Sequence, residues 1–404
     1  MRSALELTTA GESHGPCVTA ILAGVPAGLG VTAEIVNRDL ARRQVGYGRG
    51  GRMKIEADTV RFTGGVRHAE TLGSPICMVV ENRDWENWRE EMGADAPSPG
   101  WVSGRAVAVP RPGHADLAGL ARFGHADMRN VLERASARET AARVAAGAIC
   151  RSLLAAIGVT IRSRTVAIGG VRHDEFVGSD ATWAAVEASD VGCADERTAQ
   201  SIREAIDAAR AEGDSLGGEL ELVADGVPPG LGSHVSWESR LDGRIAGALV
   251  GIPAIKAVAI GAGFDAANLP GSQFHDSIVP ARVDAGWPVS RPSNRAGGIE
   301  GGMTNGEPVV VRMVMKPIPT LTTPLPSVDV RTGEPTEAHA ERSDVCAVPA
   351  AGVVGEAMLA LVLASAAVEL FGGACMSDLL ASHERYVGRL AGGWGEGRPA
   401  DDDA

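Results

Sequence analysis

The feature of this chain that most limits its fold is an internal repeat. Residues 11–30 align without a gap with residues 213–232, and nine of these twenty positions are identical. Both segments contain the sequence Gly-Val-Pro-x-Gly-Leu-Gly. A shared turn alone does not explain so many identities, so the chain is predicted to contain two related halves.

The repeat continues more weakly further along each half. Residues 64–80 resemble residues 301–315, and this alignment places Gly64 and Gly65 on Gly301 and Gly302. Each half is therefore predicted to run strand, glycine-rich turn, helix, strand, Gly-Gly turn, strand. The strand and the helix are expected at 17–22 and 32–40 in the first half, and at 219–223 and 240–250 in the second.

Two helices are predicted outside this scheme, at 136–158 and at 195–212. The first begins with the capping-box pattern Ser136-x-x-Glu139. Because strands and helices intermingle without a regular alternation, the pattern favours an α+β fold over a doubly wound sheet. Residues 1–392 are expected to form one domain, with halves at about 1–133 and 213–345 joined by helical segments.

Two segments carry no periodic pattern. Residues 393–404 combine glycine, proline and three aspartates, and are expected to form a disordered tail. Residues 84–104 contain Trp85, Trp88 and Trp101 with two prolines, and are predicted to form an irregular insertion. Its tryptophans are expected to cover the core, with a stacking role as the alternative.

Composition excludes several classes of protein. The 404 residues include 38 basic and 51 acidic side chains, and a net charge of −13 argues against a nucleic-acid-binding protein. Six scattered cysteines without metal-ligand spacing indicate reduced thiols in a cytoplasmic protein. The apolar stretch 347–371 is interrupted by Pro349, Glu356 and Glu369, which favours a buried helix over a membrane span.

A basic, glycine-rich segment at 42–54 contrasts with this acidic background. Arg43, Arg49 and Arg52 lie among four glycines there. Guanidinium groups offer paired donors to carboxylate and phosphate oxygens, and glycine lets the backbone come close to a ligand. The segment therefore predicts a site for a small, multiply charged anion. The alternative is an exposed loop whose arginines contact only solvent.

Two histidines lie in short glycine-bearing turns. His14 belongs to Gly-Glu-Ser-His-Gly, and His114 follows Arg111 in Arg-Pro-Gly-His-Ala-Asp. Histidine can donate or accept a proton near neutral pH, although either residue by itself is better explained by a structural role. Leu216 occupies the position of His14 in the second half of the repeat. A residue present in only one copy is the better candidate for function.

Further candidate anion contacts lie later in the chain. Arg134 and Arg138 flank the start of the predicted helix at 136, where free backbone N–H groups favour an anion. Lys316 and Thr320 belong to a proline-stiffened segment. Arg342 and Asp344 form either a surface ion pair or a base with an orienting cation. No phosphate-binding loop, dinucleotide fingerprint, nucleophile elbow or metal cluster is present in the sequence. These residues indicate an enzyme for a phosphorylated, carboxylated small molecule.

With these motifs, the chain resembles the chorismate synthase family. Eight motifs occur in the order found in the family and cover nearly the whole chain: Gly-Glu-Ser-His-Gly at 11–15, Arg-Gln-Val-Gly-Tyr-Gly-Arg-Gly-Gly-Arg at 43–52, Arg-Pro-Gly-His-Ala-Asp at 111–116, Leu-Glu-Arg-Ala-Ser-Ala-Arg-Glu-Thr at 132–140, Gly-Asp-Ser-Leu-Gly-Gly at 213–218, Gly-Gly-Met-Thr-Asn-Gly at 301–306, Lys-Pro-Ile-Pro-Thr at 316–320 and Arg-Ser-Asp at 342–344. The resemblance implies a lyase that converts 5-enolpyruvylshikimate 3-phosphate to chorismate and phosphate by a 1,4-anti elimination. This is the last step of the shikimate pathway towards the aromatic amino acids.

The resemblance also implies a fold, a cofactor and an assembly. The fold is an internally duplicated β-α-β sandwich, the cofactor is reduced FMN that is not consumed, and the assembly is a homotetramer. NADPH is implied as a flavin reductant, with Arg43 and Arg49 as its contacts, if the enzyme reduces its own flavin. The alternative is a non-catalytic protein that binds anions or flavin on the same fold, and RNA binding through the 42–54 segment is disfavoured by the net charge.

Site residues follow from the resemblance motif by motif. The catalytic residues would be His14 as the acid for the departing phosphate, His114 as the residue that protonates reduced flavin near N1, and Asp344 as the base acting with flavin N5 on the C6 proton. The substrate would be bound by Arg43, Arg49, Arg52, Arg111, Ser136 and Arg138. FMN would be bound by Arg134, Ala135, Ser136, Pro253, Ala254, Gly301, Lys316, Pro317, Ile318, Pro319, Thr320 and Arg342. Pro253 departs from the Asn or Gln usual in the family. If this position contacts FMN through its side chain, the contact is lost here, and if it does so through the backbone carbonyl, proline has no effect.

Overall fold

A computed structural model describes residues 4–50, 57–281, 287–339 and 343–391 of the chain. Arg52, Arg342 and the predicted tail at 393–404 therefore lie outside the described residues.

The first half of the chain forms an antiparallel sheet with the strand order β1–β2–β6–β3. Alternate residues of β2, namely Val18, Ala20 and Leu22, are buried on one face, as expected for a sheet with one face against the core. The strands are β1 (Glu6–Ala10), β2 (Cys17–Ala23), β3 (Val60–Gly64), the two-stranded ribbon β4 (Val66–Arg67) and β5 (Glu70–Thr71), and β6 (Ile76–Glu81).

The second half forms a five-stranded antiparallel sheet with the order β10–β15–β9–β7–β8. Three two-stranded ribbons, β11–β12, β13–β14 and β16–β17, accompany it. The strands are β7 (Thr160–Ile168), β8 (Val171–Arg172), β9 (Gly218–Asp225), β10 (Ile255–Ile260), β11 (Val279–Pro280), β12 (Val289–Ser290), β13 (Ile299–Glu300), β14 (Met303–Thr304), β15 (Val309–Met315), β16 (Pro326–Val328) and β17 (Pro335–Glu337).

The helices are α1 (Ala33–Gln44), α2 (Arg89–Met92), α3 (Asp116–Phe123), α4 (Arg129–Ala135), α5 (Thr140–Ala155), α6 (Asp180–Ala188), α7 (Glu196–Glu212), α8 (Leu241–Val250), α9 (Gly271–Phe274), α10 (Val348–Phe371) and α11 (Met376–Ala391). Helix α5 packs against β2 and β6, helix α10 packs against β7 and β9, and the two helices contact each other. Helices therefore lie between the two sheets, in agreement with the predicted α+β sandwich.

Helix α10 is the centre of the core. By length and composition alone it could span a membrane, but 89% of its most apolar stretch is buried inside the protein. A helix that is apolar on all sides is expected where every side faces other protein elements. The structure thus confirms the buried helix predicted for residues 347–371.

Gly147 allows α5 and α10 to approach closely. A Cβ atom added at Gly147 would lie 2.5 Å from Ala357 Cα and 2.9 Å from Ala357 O. We expect Gly147→Ala to lower the free energy of unfolding by about 1–3 kcal/mol, because a packed backbone must move to accept the methyl group. Urea denaturation measures this change.

Gly247→Ala in α8 is the matched control, since an added Cβ there meets no atom within 4 Å. Helix propensity should make this second variant as stable as the wild type or up to about 1 kcal/mol more stable. Equal destabilisation by both substitutions would show that helix packing is not the cause.

The two halves repeat the same arrangement of strands. In the first sheet β1, β2, β6 and β3 are neighbours in that order, and in the second sheet β7, β9, β15 and β10 are neighbours in the same order. Helix α1 follows β2 as α8 follows β9. Strand β7 begins at residue 160, before the predicted start of the second half at 213. The predicted boundaries of the halves stay a prediction.

Matching hydrogen bonds hold the repeated Gly-Val-Pro turn in both halves. Thr71 Oγ1 donates to Pro26 O over 2.6 Å, and Thr304 Oγ1 donates to Pro228 O over 2.7 Å. Thr71 and Thr304 therefore occupy equivalent positions. When the two halves are aligned on these two threonines, residue 64 matches residue 297, and the alignment needs no gap.

The predicted alignment of Gly64 and Gly65 with Gly301 and Gly302 was therefore wrong. Gly65 and Gly298 are the equivalent residues, and both have positive φ, +83° and +76°. An added Cβ would lie 2.5 Å from Pro75 O at Gly65 and 2.4 Å from Pro308 O at Gly298, and each of these prolines directly precedes a strand, β6 or β15. Gly301 and Gly302 instead match His68 and Ala69, which also have positive φ in the turn between two short strands. The error arose because the second half has two Gly-Gly pairs, at 297–298 and at 301–302, and the prediction used the second of them.

Candidate active site

His14 lies in the turn between β1 and β2, and its imidazole is fixed on two sides. Its Nδ1 is 2.9 Å from Glu133 Oε1, and its backbone N–H donates to Glu133 Oε2 over 2.8 Å. Trp88 stacks on the imidazole with a centroid distance of 3.8 Å and an interplanar angle of 20°. The expectation that the tryptophans of the 84–104 segment only cover the core is therefore wrong for Trp88.

The turn that carries His14 is joined to the start of α5. Ser136 Oγ donates to Ser13 Oγ over 3.0 Å, and Asn82 Nδ2 donates to Gly15 O over 2.6 Å. The side chain of Ser136 also caps the short 3₁₀ turn at residues 137–139, so α5 itself begins at Thr140 and not at the predicted residue 136. Arg134 donates to the backbone of the same region, at Gly11 O over 3.1 Å.

Arg43 and Arg138 share one buried carboxylate, that of Asp58. Arg43 Nη2 donates to Asp58 Oδ2 over 2.7 Å, and Arg138 Nη1 donates to Asp58 Oδ1. Burial favours the neutral form of Asp58, but the charges of Arg43 and Arg138 outweigh burial and lower its pKa. Asp58 therefore joins two buried guanidinium groups in the interior.

Arg138 connects this charged group to the His14 turn. Its Nε donates to Asn82 Oδ1 over 2.7 Å, and Asn82 also holds Gly15. Burial lowers the pKa of Arg43, Asp58 raises it, and the charges of Arg138 and Arg49 lower it further. Arg49 and Arg138 are therefore each close enough to Arg43 to repel it electrostatically.

Asp344 is held against the basic segment. Arg49 Nη1 lies 2.8 Å from Asp344 Oδ2, and the backbone N–H of Gly50 donates to Asp344 Oδ1 over 2.6 Å. The sequence left open whether Asp344 pairs with Arg342, which lies outside the described residues. In the described part of the chain its guanidinium partner is Arg49.

His114 is bound to a buried carboxylate as His14 is. Its Nδ1 hydrogen-bonds Asp116 Oδ1, and Arg111 Nε donates to Asp116 Oδ2 over 3.1 Å. Arg111 Nη1 donates to Thr320 Oγ1 over 2.8 Å, which joins this group to the Lys316–Thr320 segment. Burial would raise the pKa of Asp116, but the hydrogen bonds from His114 and Arg111 lower it from 3.8 to about 2.

This lowered pKa predicts a pH dependence of stability. An aspartate whose pKa is lower in the folded state stabilises the fold fully above its unfolded pKa, and this contribution is lost as the pH falls from 4 towards 2. We expect Asp116→Asn to cost about 2–3 kcal/mol at pH 7 and progressively less below pH 4. Urea denaturation of both proteins at several pH values measures the difference. A difference that stays constant with pH would contradict the prediction.

Three distant parts of the chain meet beside Lys316. Ser215 Oγ donates to Ile318 O over 2.7 Å, and Leu216 N donates to Val345 O over 2.8 Å. Leu216, the counterpart of His14, packs against the main hydrophobic core. The second copy of the repeat therefore has a structural role at this position and brings the Lys316–Thr320 segment next to Asp344.

Ala254 and Lys316 are also joined. Lys316 N donates to Ala254 O over 3.0 Å, and Ala254 has a φ of +70°, which is rare for a residue with a side chain. Gly301 lies in the turn of the β13–β14 ribbon, whose neighbouring hydrogen bonds run to Leu231 and Leu241. The structure thus connects Ala254 with Lys316 and places Gly301 in a separate turn.

The amino group of Lys316 fits an anionic ligand. Burial lowers its pKa, and the charge of Lys256 lowers it further. Lys316 Nζ donates to Gly113 O over 3.0 Å, and neither lysine forms an ion pair with a carboxylate in the part of the chain that the structure describes. Two neighbouring ammonium groups without a counter-charge suit the phosphate of a cofactor such as FMN.

Sequence reasoning missed several residues that organise this site: Asp58, Asn82, Trp88 and Glu133. Glu133 belongs to one of the motifs at 132–140, so its position was available, although nothing in the spacing showed that it would contact His14. No motif in the surrounding sequence marks Asp58 or Asn82 as a site residue, because their hydrogen-bond partners are distant in sequence.

Buried arginines, two histidines with carboxylate partners and paired lysines define an enzyme-like site for a multiply charged anion. Comparison with known proteins agrees. The profile of the family described as chorismate synthase matches residues 5–368. The chorismate synthase of Desulforudis audaxviator is 57% identical over 96% of this chain and 98% of its own length. That of Trichlorobacter lovleyi is 53% identical over 95% and 98%.

A solved structure gives the same result. A crystal structure of chorismate synthase superposes with a TM-score of 0.78 at 40% identity, and the match covers 97% of this chain and 100% of the other. The chain belongs to the chorismate synthase family. These matches confirm the resemblance, the fold class and the interpretation as an enzyme, and they favour the lyase over the non-catalytic alternative.

Proposed function

We propose that this enzyme converts 5-enolpyruvylshikimate 3-phosphate to chorismate and phosphate by a 1,4-anti elimination, using reduced FMN that is not consumed. The observation that supports this most directly is the cluster of Arg43, Arg49 and Arg138, connected to His14 through Asn82. A substrate with two carboxylates and a phosphate suits the paired donors that these guanidinium groups offer.

The arginines and Ser136 would bind the substrate. Arg43, Arg49, Arg111 and Arg138 would neutralise its anionic groups, together with Arg52, which lies outside the described residues. Preorganised donors stabilise charge that develops in the transition state more effectively than water does. The contacts with Asp58 and Asp116 hold Arg138 and Arg111 in place before the ligand arrives.

Proton transfer would be divided among three residues. His14 donates a proton to the departing phosphate as its C–O bond breaks. Asp344 would be the base for removal of the C6 proton, acting with N5 of FMN when the cofactor is bound, and Arg49 and the Gly50 N–H orient its carboxylate. His114, oriented by Asp116, holds a proton at its remaining ring nitrogen beside the cofactor.

Reduced FMN, when bound, supplies electron density at the allylic carbon. The residues that would hold it are Arg134, Ala135, Ser136, Pro253, Ala254, Gly301, Lys316, Pro317, Ile318, Pro319, Thr320 and Arg342. The uncompensated charge of Lys316 and Lys256 supports a phosphate contact there. Arg43 and Arg49 would contact NADPH if the enzyme also reduces its flavin.

We also propose a cytoplasmic homotetramer. Val235, Trp237 and Phe264 are 81%, 79% and 82% exposed in the single chain. Large apolar side chains exposed to this degree often lie in contacts between subunits. Sedimentation measurements would test the assembly.

The activity is tested by an anaerobic assay of purified protein. One mixture contains substrate with chemically reduced FMN, and the second contains substrate with oxidised FMN and NADPH. Chorismate in the first mixture is the expected result. Chorismate in the second as well would show that the enzyme reduces its own flavin, and chorismate in neither would refute the proposed function.

A further inference from the structure

Glu133 contacts His14 through both carboxylate oxygens. Oε1 lies 2.9 Å from the imidazole Nδ1, and Oε2 accepts the backbone N–H of the same residue over 2.8 Å. The backbone carbonyl of Glu133 also accepts the N–H of Ser13 over 3.0 Å. Three contacts from one residue therefore fix both the turn and the ring.

Glu133 is a buried acid on a rigid element. It lies in α4, is 2% exposed, and accepts a longer hydrogen bond of 3.4 Å from Arg129 one turn earlier. Arg129 is itself fixed by hydrogen bonds of 3.1 and 3.0 Å to Arg105 O. The closest contacts of the carboxylate are thus to His14 and not to its guanidinium neighbour.

Trp88 restricts the ring from another direction. It stacks on the His14 imidazole, while Arg105 lies 3.8 Å from the Trp88 ring centroid and Asp84 accepts the indole N–H over 2.9 Å. The stack occupies one face of the imidazole, and Glu133 occupies its Nδ1 edge. Among the residues that the structure describes, none hydrogen-bonds to Nε2, so this is the ring nitrogen left for a ligand.

We infer that Glu133 is a positioning residue for the reaction, acting through His14. A carboxylate at Nδ1 keeps a proton on that nitrogen and leaves Nε2 to donate to the departing phosphate. After the transfer, His14 is neutral with its remaining proton on Nδ1, still hydrogen-bonded to Glu133. This inference rests on the proposed function, because it assigns His14 the role of the acid.

The test compares Glu133→Gln and Glu133→Leu with the wild type in the anaerobic assay with reduced FMN. Glutamine keeps the size of the side chain and an oxygen that can accept the Nδ1 proton, whereas leucine has no acceptor. We expect kcat to fall about tenfold in the glutamine variant and about a hundredfold in the leucine variant, with KM within about threefold of the wild type.

Glu221→Gln is the matched control. Glu221 is also a buried carboxylate, paired with Arg164 over 2.8 Å in the second sheet, and it has no contact with His14. Glu133→Gln and Glu221→Gln should have similar melting temperatures, and only Glu133→Gln should lose turnover. We expect Glu133→Gln to keep a higher kcat than Glu133→Leu, because glutamine still accepts the Nδ1 proton. A purely structural role of Glu133 does not predict this difference in kcat.

The outcomes separate this inference from the proposed function. If the wild type forms chorismate and Glu133→Gln keeps its kcat, the positioning role is refuted and the function stands. An equal loss of kcat in Glu133→Gln and Glu221→Gln also refutes it. A wild type that forms no chorismate refutes the function itself. If Glu133→Leu does not fold, the comparison of the two glutamine variants still decides the question.

Discussion

Replacing His14 with alanine should lower kcat by about 10²–10⁴-fold and leave KM within a few-fold of the wild type. Without the imidazole, the departing phosphate loses its proton donor, and a positioned acid typically contributes a rate factor of this size. In the proposed function the arginine cluster binds the substrate, and Asn82 links that cluster to the turn that carries His14. Steady-state kinetics with reduced FMN under anaerobic conditions measure both constants.

His234→Ala is the control for this experiment, since His234 is exposed and has no assigned role. Its kcat and KM should equal those of the wild type. Unchanged turnover in His14→Ala would remove this histidine from the mechanism, and a large rise in KM with unchanged kcat would make it a binding residue.

Replacing Asp58 with alanine should lower the free energy of unfolding by about 3–5 kcal/mol. The substitution leaves the buried guanidinium groups of Arg43 and Arg138 without their shared carboxylate, and removing one partner of a buried ion pair carries a penalty of this size. Urea denaturation at neutral pH measures the change. Substrate affinity should weaken as well, because the two arginines lose the contact that fixes their geometry.

The surface pair between Glu86 and Arg89 supplies a comparison. Glu86→Ala removes an exposed ion pair of 2.7 Å and should change stability by at most about 1 kcal/mol. A loss below 1 kcal/mol in Asp58→Ala would show that Arg43 and Arg138 find other partners, and that Asp58 is not needed to hold them.

Local patterns predicted the elements of the fold well. Helices were predicted to start at residues 32 and 195, and Thr32 and Asp195 are the N-caps of α1 and α7, so both helices agree with the prediction to within a few residues. Gly213 ends α7 in the left-handed conformation that glycine favours. These features depend on residues that are close together in sequence, so the sequence alone is enough to predict them.

Contacts between distant segments were less accessible to sequence reasoning. The repeat identified His14 as a residue without a counterpart, and the structure explains why: Leu216 packs against the core at the equivalent position. Asp58 could not be recognised, because its role depends on Arg138, eighty positions away. Trp88 was misjudged for a similar reason, since only the folded chain brings it onto the imidazole.

The position of α10 in the chain has a consequence for synthesis. This helix contacts α5, α8 and strands of the second sheet, yet it follows every strand of both sheets in sequence. While the chain is being synthesised, the segments that precede α10 emerge from the ribosome first. Until α10 has been made, they expose the apolar faces that this helix later covers. Final folding should be post-translational, and chains truncated before residue 348 should aggregate or require chaperones.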